Sequence, residues 1–276
     1  MMGKLNGQSA IITGGAQGIG KAIALKFAKE GANILIVDLD EAKSKETVEE
    51  CKKLGVKAAY VAGKETGDIT KYANCEAAAN KAKAELGGVT VLINNAGLTL
   101  DKPAHTLSEA WWNIVMNVVL TGSFNMMKAV VPIMQEQKFG CIWNVSSVAG
   151  IGGNAAQINY SSAKAGLVGL TKAAARELAP DNIAVNVVGF GAVVTRLVMP
   201  HEEEEIMGQK MADMKAVRGQ DPDQVKKMYK TTIPMCKTRD DPLMPEDVAN
   251  FFAAVCDPDA HYMTGQWMIY SGGMML

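Results

Sequence analysis

Two periods of apolar residues run along this chain, one of short continuous blocks and one of helical spacing, and they take turns. Ser9 to Thr13 is a short apolar, β-branched block ending in Gly-Gly, and Gly18 to Ala28 then carries apolar residues at helical spacing until Gly31 stops it. That pattern predicts strand, loop, helix. Asn33 to Val37 predicts a second strand, residues 41–54 a charged helix closed by Gly55, and 56–62 a third strand. A helix near 70–86, a strand at 89–93, a long helix near 108–136 and a strand at 140–145 follow. A helix over 160–179, ended by Pro180, and a strand at 183–188 continue the rhythm. Residues 195–245 break it, before a helix near 246–255 and a last strand, Gln266 to Tyr270.

Strands alternating with helices imply parallel strands joined by right-handed helical crossovers. The early strands are apolar throughout, as expected when helices cover both sheet faces. The prediction is an α/β chain with one doubly wound parallel sheet. Its 276 residues fit a single domain, with 195–245 as an insertion forming a lid over the site.

Composition narrows the function classes. Apolar residues make up 48% and charged residues 21%, a globular profile, and the net charge of −1 with scattered Lys and Arg offers no basic field for nucleic acid or an anionic membrane. The five cysteines (Cys51, Cys75, Cys141, Cys236, Cys256) are odd in number and form no Cys-x-x-Cys pair, so neither a disulfide framework nor a zinc clip is expected. His105, His201 and His261 stand apart from any ligand pattern, and no metal is expected. The N-terminus lacks the apolar core of a signal peptide and no uncharged apolar run of spanning length is read, so a cytoplasmic protein is expected.

Candidate chemistry begins at Gly14-Gly15-Ala16-Gln17-Gly18-Ile19-Gly20, between a strand and a helix. Unpaired amides and the helix dipole there favour a pyrophosphate, and glycines let the backbone approach it. Asp38 ends the second strand 18 residues after Gly20, where a carboxylate can accept hydrogen bonds from ribose hydroxyls and repel a 2′-phosphate. NAD is therefore favoured over NADP, with Lys43 or Lys45 able to weaken the preference. The alternative for Asp38 is a helix N-cap.

Tyr160 and Lys164 lie four apart at a helix start and share one face. An ammonium beside a phenol favours the phenolate and would lower its pKa, giving a general base for an alcohol or an acid for a ketone. A second such pair, Tyr60 and Lys64, falls on a strand and its exit loop, where four positions span roughly 13 Å. Geometry favours the helical pair. Ser146 and Ser147 end a strand, where a serine can hydrogen-bond a reacting oxygen or merely cap the next turn.

With these residues in hand the chain resembles the short-chain dehydrogenase/reductase family, of the group similar to 3-oxoacyl carrier-protein reductases and bacterial hydroxysteroid dehydrogenases. The likeness rests on Thr13 to Gly20, Asp68-Ile69, Asn94-Asn95-Ala96-Gly97, Ser147 thirteen residues before Tyr160, Lys164, and Asn186 with Gly191 and Thr195. It implies a Rossmann-type fold and a homotetramer, or a dimer, paired through the long helices at 108–136 and 160–179. Gly166 and Gly169 are compatible with close helix contact there.

The resemblance also implies roles. Tyr160 would exchange the proton, Ser147 steady the substrate oxygen, and Lys164 hold the nicotinamide ribose. Gly14, Gln17, Gly18, Ile19 and Gly20 would cradle the pyrophosphate, Asp38 and Leu39 face the ribose, and Asp68 and Ile69 flank the adenine. Asn95, Ala96 and Gly97 would line the adenosine side, and Val193 and Thr195 the carboxamide. The family's usual asparagine before Leu-Thr-Gly is Val119 here, so the fourth catalytic residue is missing. Phe190-Gly191 and Ser271-Gly272-Gly273 also depart from the family's usual Pro-Gly and Asp-Gly-Gly.

The expected activity is NAD(H)-dependent interconversion of a secondary alcohol and a ketone. Met199, Met207, Met211, Met214, Met228 and Met235 in the lid suggest a bulky apolar, ring-bearing or steroid-like substrate, unless they pack the lid itself. Glu202 to Glu205 reads as a solvated helix start. The alternative enzyme is a 3-oxoacyl or dienoyl thioester reductase, and the alternative of another class is a non-enzymatic NAD-binding sensor.

Overall fold

The structure, a computed structural model, describes residues 3–195, 205–206, 209–210, 222–237 and 243–274. A seven-stranded parallel sheet runs through it in the order β3-β2-β1-β4-β5-β6-β9. Its strands are β1 (Ser9–Thr13), β2 (Asn33–Asp38), β3 (Ala58–Ala62), β4 (Val91–Asn94), β5 (Gly140–Ser147), β6 (Ile183–Phe190) and β9 (Trp267–Tyr270). The helices are α1 (Gly18–Lys29), α2 (Glu41–Lys53), α3 (Tyr72–Leu86), α4 (Glu109–Met116), α5 (Gly122–Gln137), α6 (Ala149–Gly152), α7 (Ile158–Leu178), α8 (Pro222–Thr232) and α9 (Pro245–Val255). Strands β7 (Glu205–Ile206) and β8 (Gln209–Lys210) make a separate antiparallel pair.

Side chains alternate across the strands, so neighbouring residues enter different cores. Ala10, Ile12, Ile34, Ile36 and Trp143 face Phe27 of α1, Val48 of α2 and Phe252 of α9. Ile11, Leu35, Leu92 and Ile142 face Ala78 of α3, Val130 of α5 and Leu178 of α7 on the other side. Both layers are needed, because every residue of β1 is buried. The strand order reverses between β1 and β4, and parallel open sheets bind ligands at the carboxyl ends beside such a switch.

The helix expected over 108–136 is three segments. Between α4 and α5 the chain makes a π turn, Asn117–Thr121, in which the Ser123 hydroxyl donates to the Val119 carbonyl at 2.7 Å. Glu109–Gln137 as a whole is long and apolar enough to cross a membrane by length and composition, contrary to the sequence reading. Half of its apolar window is buried within the protein, as befits a core helix.

The irregular stretch after Thr195 contains α8, which periodicity did not reveal among its polar residues. Glu205 belongs to β7 rather than to a helix start. Met199, Met207, Met211, Met214, His201 and Glu202 to Glu204 lie outside the described residues, while Met228 and Met235 are exposed. A Cβ on Gly166 would meet Leu120 of the same chain at 2.8 Å, and one on Gly169 would meet nothing.

Candidate functional site

The phosphate loop owes its shape to its glycines. Gly14 and Gly18 take left-handed φ of +65° and +56°. A Cβ on Gly20 would stand 2.0 Å from the Gly14 carbonyl oxygen, so the first turn of α1 packs onto the loop only without a side chain. Helix α2 is capped by Asp40 and α4 by Ser108, but Gln17 at the N-cap of α1 makes no side-chain capping bond and the first turn carries no acid. An uncapped helix start above a glycine cradle suits an anion, so the residues present fit a dinucleotide pyrophosphate.

Asp38 lies at the loop's rim. Its Oδ2 accepts from the Ala16 amide at 2.9 Å and its Oδ1 from the Asp40 amide at 3.0 Å, leaving lone pairs on both oxygens. Asp40, whose side chain accepts from the Lys43 amide, is the N-cap of α2, which overturns that alternative for Asp38. The Lys43 ammonium reaches Gln17 Oε1 at 3.2 Å and Asp40 at 3.2 Å, so a cation does stand beside this rim. Leu39 is exposed next to it.

On the other side of the loop, Asn95 donates through Nδ2 to the carbonyls of Thr13 and Gly14, and Thr13 Oγ1 accepts from the amides of Asn95 and Ala96. These bonds join the ends of β1 and β4. A Cβ on Gly97 would lie 3.6 Å from both Lys164 Nζ and a Val119 methyl. Asp68 is half-buried and accepts from the amide and hydroxyl of Thr70, and Ile69 is buried under Gly122. Val193 pairs with Leu243, and the methyl of Thr195 is the nearest atom to the Gly18 Cβ position, at 4.0 Å. Ile19 packs against the core beneath α1.

At the carboxyl end of β5 the two serines part. Ser146 is buried and donates to the Lys164 carbonyl at 2.8 Å, a scaffold bond. Ser147 is the neighbour whose side chain favours ionisation of the Tyr160 hydroxyl, and it accepts from the Ala149 amide at 3.1 Å. The Lys164 ammonium is buried, donates to the Val145 carbonyl at 2.5 Å and lies 5.5 Å from the centre of the Tyr160 ring. Thus Ser147, Tyr160 and Lys164 meet, while Tyr60 sits on β3 with Lys64 exposed beyond Gly63.

Electrostatics differ from the expectation of a lowered phenol. Burial pushes the Tyr160 hydroxyl up to about 12; the neighbouring Ser147 side chain opposes this, and the charge of Asp101 adds to it. Burial likewise pushes the Lys164 ammonium down to about 7. An apolar site disfavours both charged forms, and this outweighs the attraction between them in the free protein.

Sequence reasoning missed Asp101, Gln157 and Asn159. Asn159 is fully buried, donates to the carbonyls of Leu100 and Trp111 and accepts from the Tyr160 amide at 2.8 Å. The only signal was polarity beside an apolar pattern, which also describes a solvated turn. Among the described residues no group of three or more potential metal ligands occurs.

Comparisons with known proteins agree with this geometry. The pattern of the short chain dehydrogenase family matches residues 8–206. The 3-oxoacyl-(acyl-carrier-protein) reductase of Aquifex aeolicus is 37% identical over 276 residues, covering 98% of each chain. That of Thermotoga maritima is 35% identical, covering 99% of this chain and 100% of its own. A Sinorhizobium meliloti crystal structure, assigned as a short-chain alcohol dehydrogenase, superposes with a TM-score of 0.81 at 26% identity over 98% of this chain and 97% of its own. The chain belongs to the short-chain dehydrogenase/reductase family of oxidoreductases.

Proposed function

We propose that this chain reduces the ketone of a 3-oxoacyl thioester with a nicotinamide coenzyme, and in reverse oxidises the matching alcohol. The observation that carries the reading is the meeting of the Ser147 and Tyr160 hydroxyls, with Lys164 under the ring, at the carboxyl end of β5. The names of the curated relatives support the acyl substrate over the steroid-like one expected from the sequence.

When bound, the coenzyme supplies or takes the hydride. Ser147 holds the substrate oxygen and Tyr160 gives it a proton, and the reverse holds for oxidation. Lys164 orients the ribose of the coenzyme. Gly14, Gln17, Gly18, Ile19 and Gly20 bind the pyrophosphate; Asp38 and Leu39, with Asp68 and Ile69, hold the adenosine; Asn95, Ala96, Gly97, Val193 and Thr195 complete the groove. NAD(H) is the proposed coenzyme because Asp38 keeps free lone pairs at the rim. We further propose one catalytic domain over residues 1–276, a lid within 195–245, a homotetramer, and a cytoplasmic site, the last supported by five buried, unbridged cysteines.

A second reading, an apolar secondary alcohol as substrate, draws on Ile151 and Ile158, which are exposed on the segment between Ser147 and Tyr160. Following NADH at 340 nm with acetoacetyl-CoA and longer 3-oxoacyl thioesters, beside hydroxysteroids and cyclic alcohols, tests both. Turnover of the thioesters is expected. Turnover of the sterol class alone would replace the first reading with the second, and silence with coenzyme still bound would favour the sensor.

A further inference from the structure

Helix α7 begins on a segment with almost no core of its own. From Ile151 to Tyr160 the one buried residue is Asn159, and it is polar. Gln157, the N-cap of α7, makes no side-chain capping bond, and its carboxamide is engaged elsewhere: Nε2 donates to Asp101 Oδ2 at 2.9 Å and Oε1 accepts from Asn154 Nδ2 at 2.9 Å. The first bond inside the helix runs from the Ser161 amide to the Gln157 carbonyl, so the Tyr160 amide is one of the orphan donors of the first turn. Asn159 Oδ1 accepts from it at 2.8 Å.

The other end of the same carboxamide reaches two further segments. Asn159 Nδ2 donates to the Leu100 carbonyl at 3.0 Å, in the β4–α4 loop, and to the Trp111 carbonyl at 3.4 Å, in α4. A carboxamide taken out of water is costly unless bonded, and here both its donors and its oxygen are used. The packing around it is apolar, with Ala163 and Leu167 of α7 in one cluster with Leu100, Trp111 and Val115. Apolar contact is non-directional and lets a helix slide or turn against its neighbour, whereas bonds of fixed length and angle set its register. Further along the turn, Lys164 is tied to β5: its carbonyl accepts from Ser146 Oγ at 2.8 Å and its ammonium donates to the Val145 carbonyl at 2.5 Å. Tyr160 sits between these two ties.

We propose that Asn159 is a positioning residue, which holds the start of α7 in register with α4 and the β4–α4 loop and so places the Tyr160 hydroxyl where the substrate oxygen arrives. Being fully buried, it touches neither substrate nor coenzyme and acts through its neighbour. The inference rests on the proposed function for what Tyr160 does, while the hold on its backbone stands without substrate.

Two variants test it. Asn159→Asp keeps the acceptor for the Tyr160 amide and turns both donors into lone pairs facing the Leu100 and Trp111 carbonyls. Asn159→Leu removes all three bonds at similar volume and serves if the first variant does not fold. In either, kcat should fall about ten- to a hundredfold, the cost of a slight misplacement, while NADH affinity and coenzyme KM stay within about twofold. In a Tyr160→Phe background the same substitution should change the residual rate by less than about twofold, because the group being placed is gone. A second readout needs no substrate. In protein labelled with 15N-tyrosine, the Tyr160 amide is assigned by its loss in Tyr160→Phe; its hydrogen exchange should quicken about tenfold in Asn159→Leu, with the other tyrosine amides at parent rates. Equal losses of rate with and without the Tyr160 hydroxyl would overturn the proposal, and so would an unchanged kcat in either folded variant. Faster exchange in a protein that turns over no ketone would leave the hold on Tyr160 standing and overturn the reductase reading instead.

Discussion

Lys164 lies with its ammonium 5.5 Å from the centre of the Tyr160 ring, yet its hydrogen bond goes to the Val145 carbonyl and not to the phenol. In the free protein the pair is a buried base beside a half-buried acid, each held towards its neutral form. On the proposed function activity needs the lysine; stability does not.

That asymmetry gives the first prediction. The Lys164 pKa falls from 10.5 to about 7 on folding, so between these pH values the unfolded chain holds a proton that the folded chain lacks. Stability from this group therefore declines as pH falls through that window, and the full penalty is reached below about 7. Removing the group by Lys164→Met should raise stability at pH 7 by about 1–3 kcal/mol, after allowing for the lost bond to Val145, while abolishing turnover. The gain should vanish towards pH 10. Denaturant midpoints at the two pH values check this; a variant less stable at pH 7 than the parent would contradict it.

Tyr160→Phe should lower kcat by about two to four orders of magnitude, the usual worth of a proton donor. Coenzyme affinity should change little, because the phosphate loop and Asp38 are untouched. Fluorescence titration with NADH alongside initial rates separates the two effects. Undiminished turnover would remove Tyr160 from the chemistry.

Asp38→Ala removes the proposed acceptor for the ribose hydroxyls and its repulsion of a 2′-phosphate, and leaves Lys43 nearby. NADH affinity should fall about tenfold, NADPH should gain, and the ratio should narrow. Dissociation constants for both coenzymes decide it, and a parent that already prefers NADPH would refute the role of Asp38.

Gly20→Ala puts a methyl 2.0 Å from the Gly14 carbonyl oxygen, a backbone atom with no room to yield. The expected cost is about 1–3 kcal/mol of stability together with loss of coenzyme binding. Gly55→Ala, where a Cβ meets nothing but φ is +89°, should cost stability alone, and the comparison isolates the effect on binding. Equal NADH affinity in the two variants would count against the cradle.

Much of this was legible in the sequence because local rules and global order agree along the first 190 residues. Period changes marked every main strand and helix, and the helical copy of Tyr-x-x-x-Lys was separable from the strand copy by geometry alone. Asp38 was legible as a rim residue, but its neighbour Asp40 proved to be the cap, since the two carboxylates differ only in where β2 releases the chain. The Tyr160 environment was not legible. Its character comes from burial by Leu98, Trp111 and Val119 and from the charge of Asp101, all set by tertiary contacts between segments far apart in sequence. The break at Asn117–Thr121 was equally hidden, because its residues fit an unbroken helix as well as a π turn.

That π turn has a further consequence. A wider turn accommodates one residue beyond ordinary helical winding and advances everything after it by about 100° around the axis. The two halves of one continuous rod are thereby indexed to different neighbours: Trp111 and Val115 of α4 pack with Ala163 and Leu167 of α7, while Met126 and Val130 of α5 join the core with α3. Excising a single residue from 117–121 would re-phase the rod, so that one half could keep its partners only if the other gave them up.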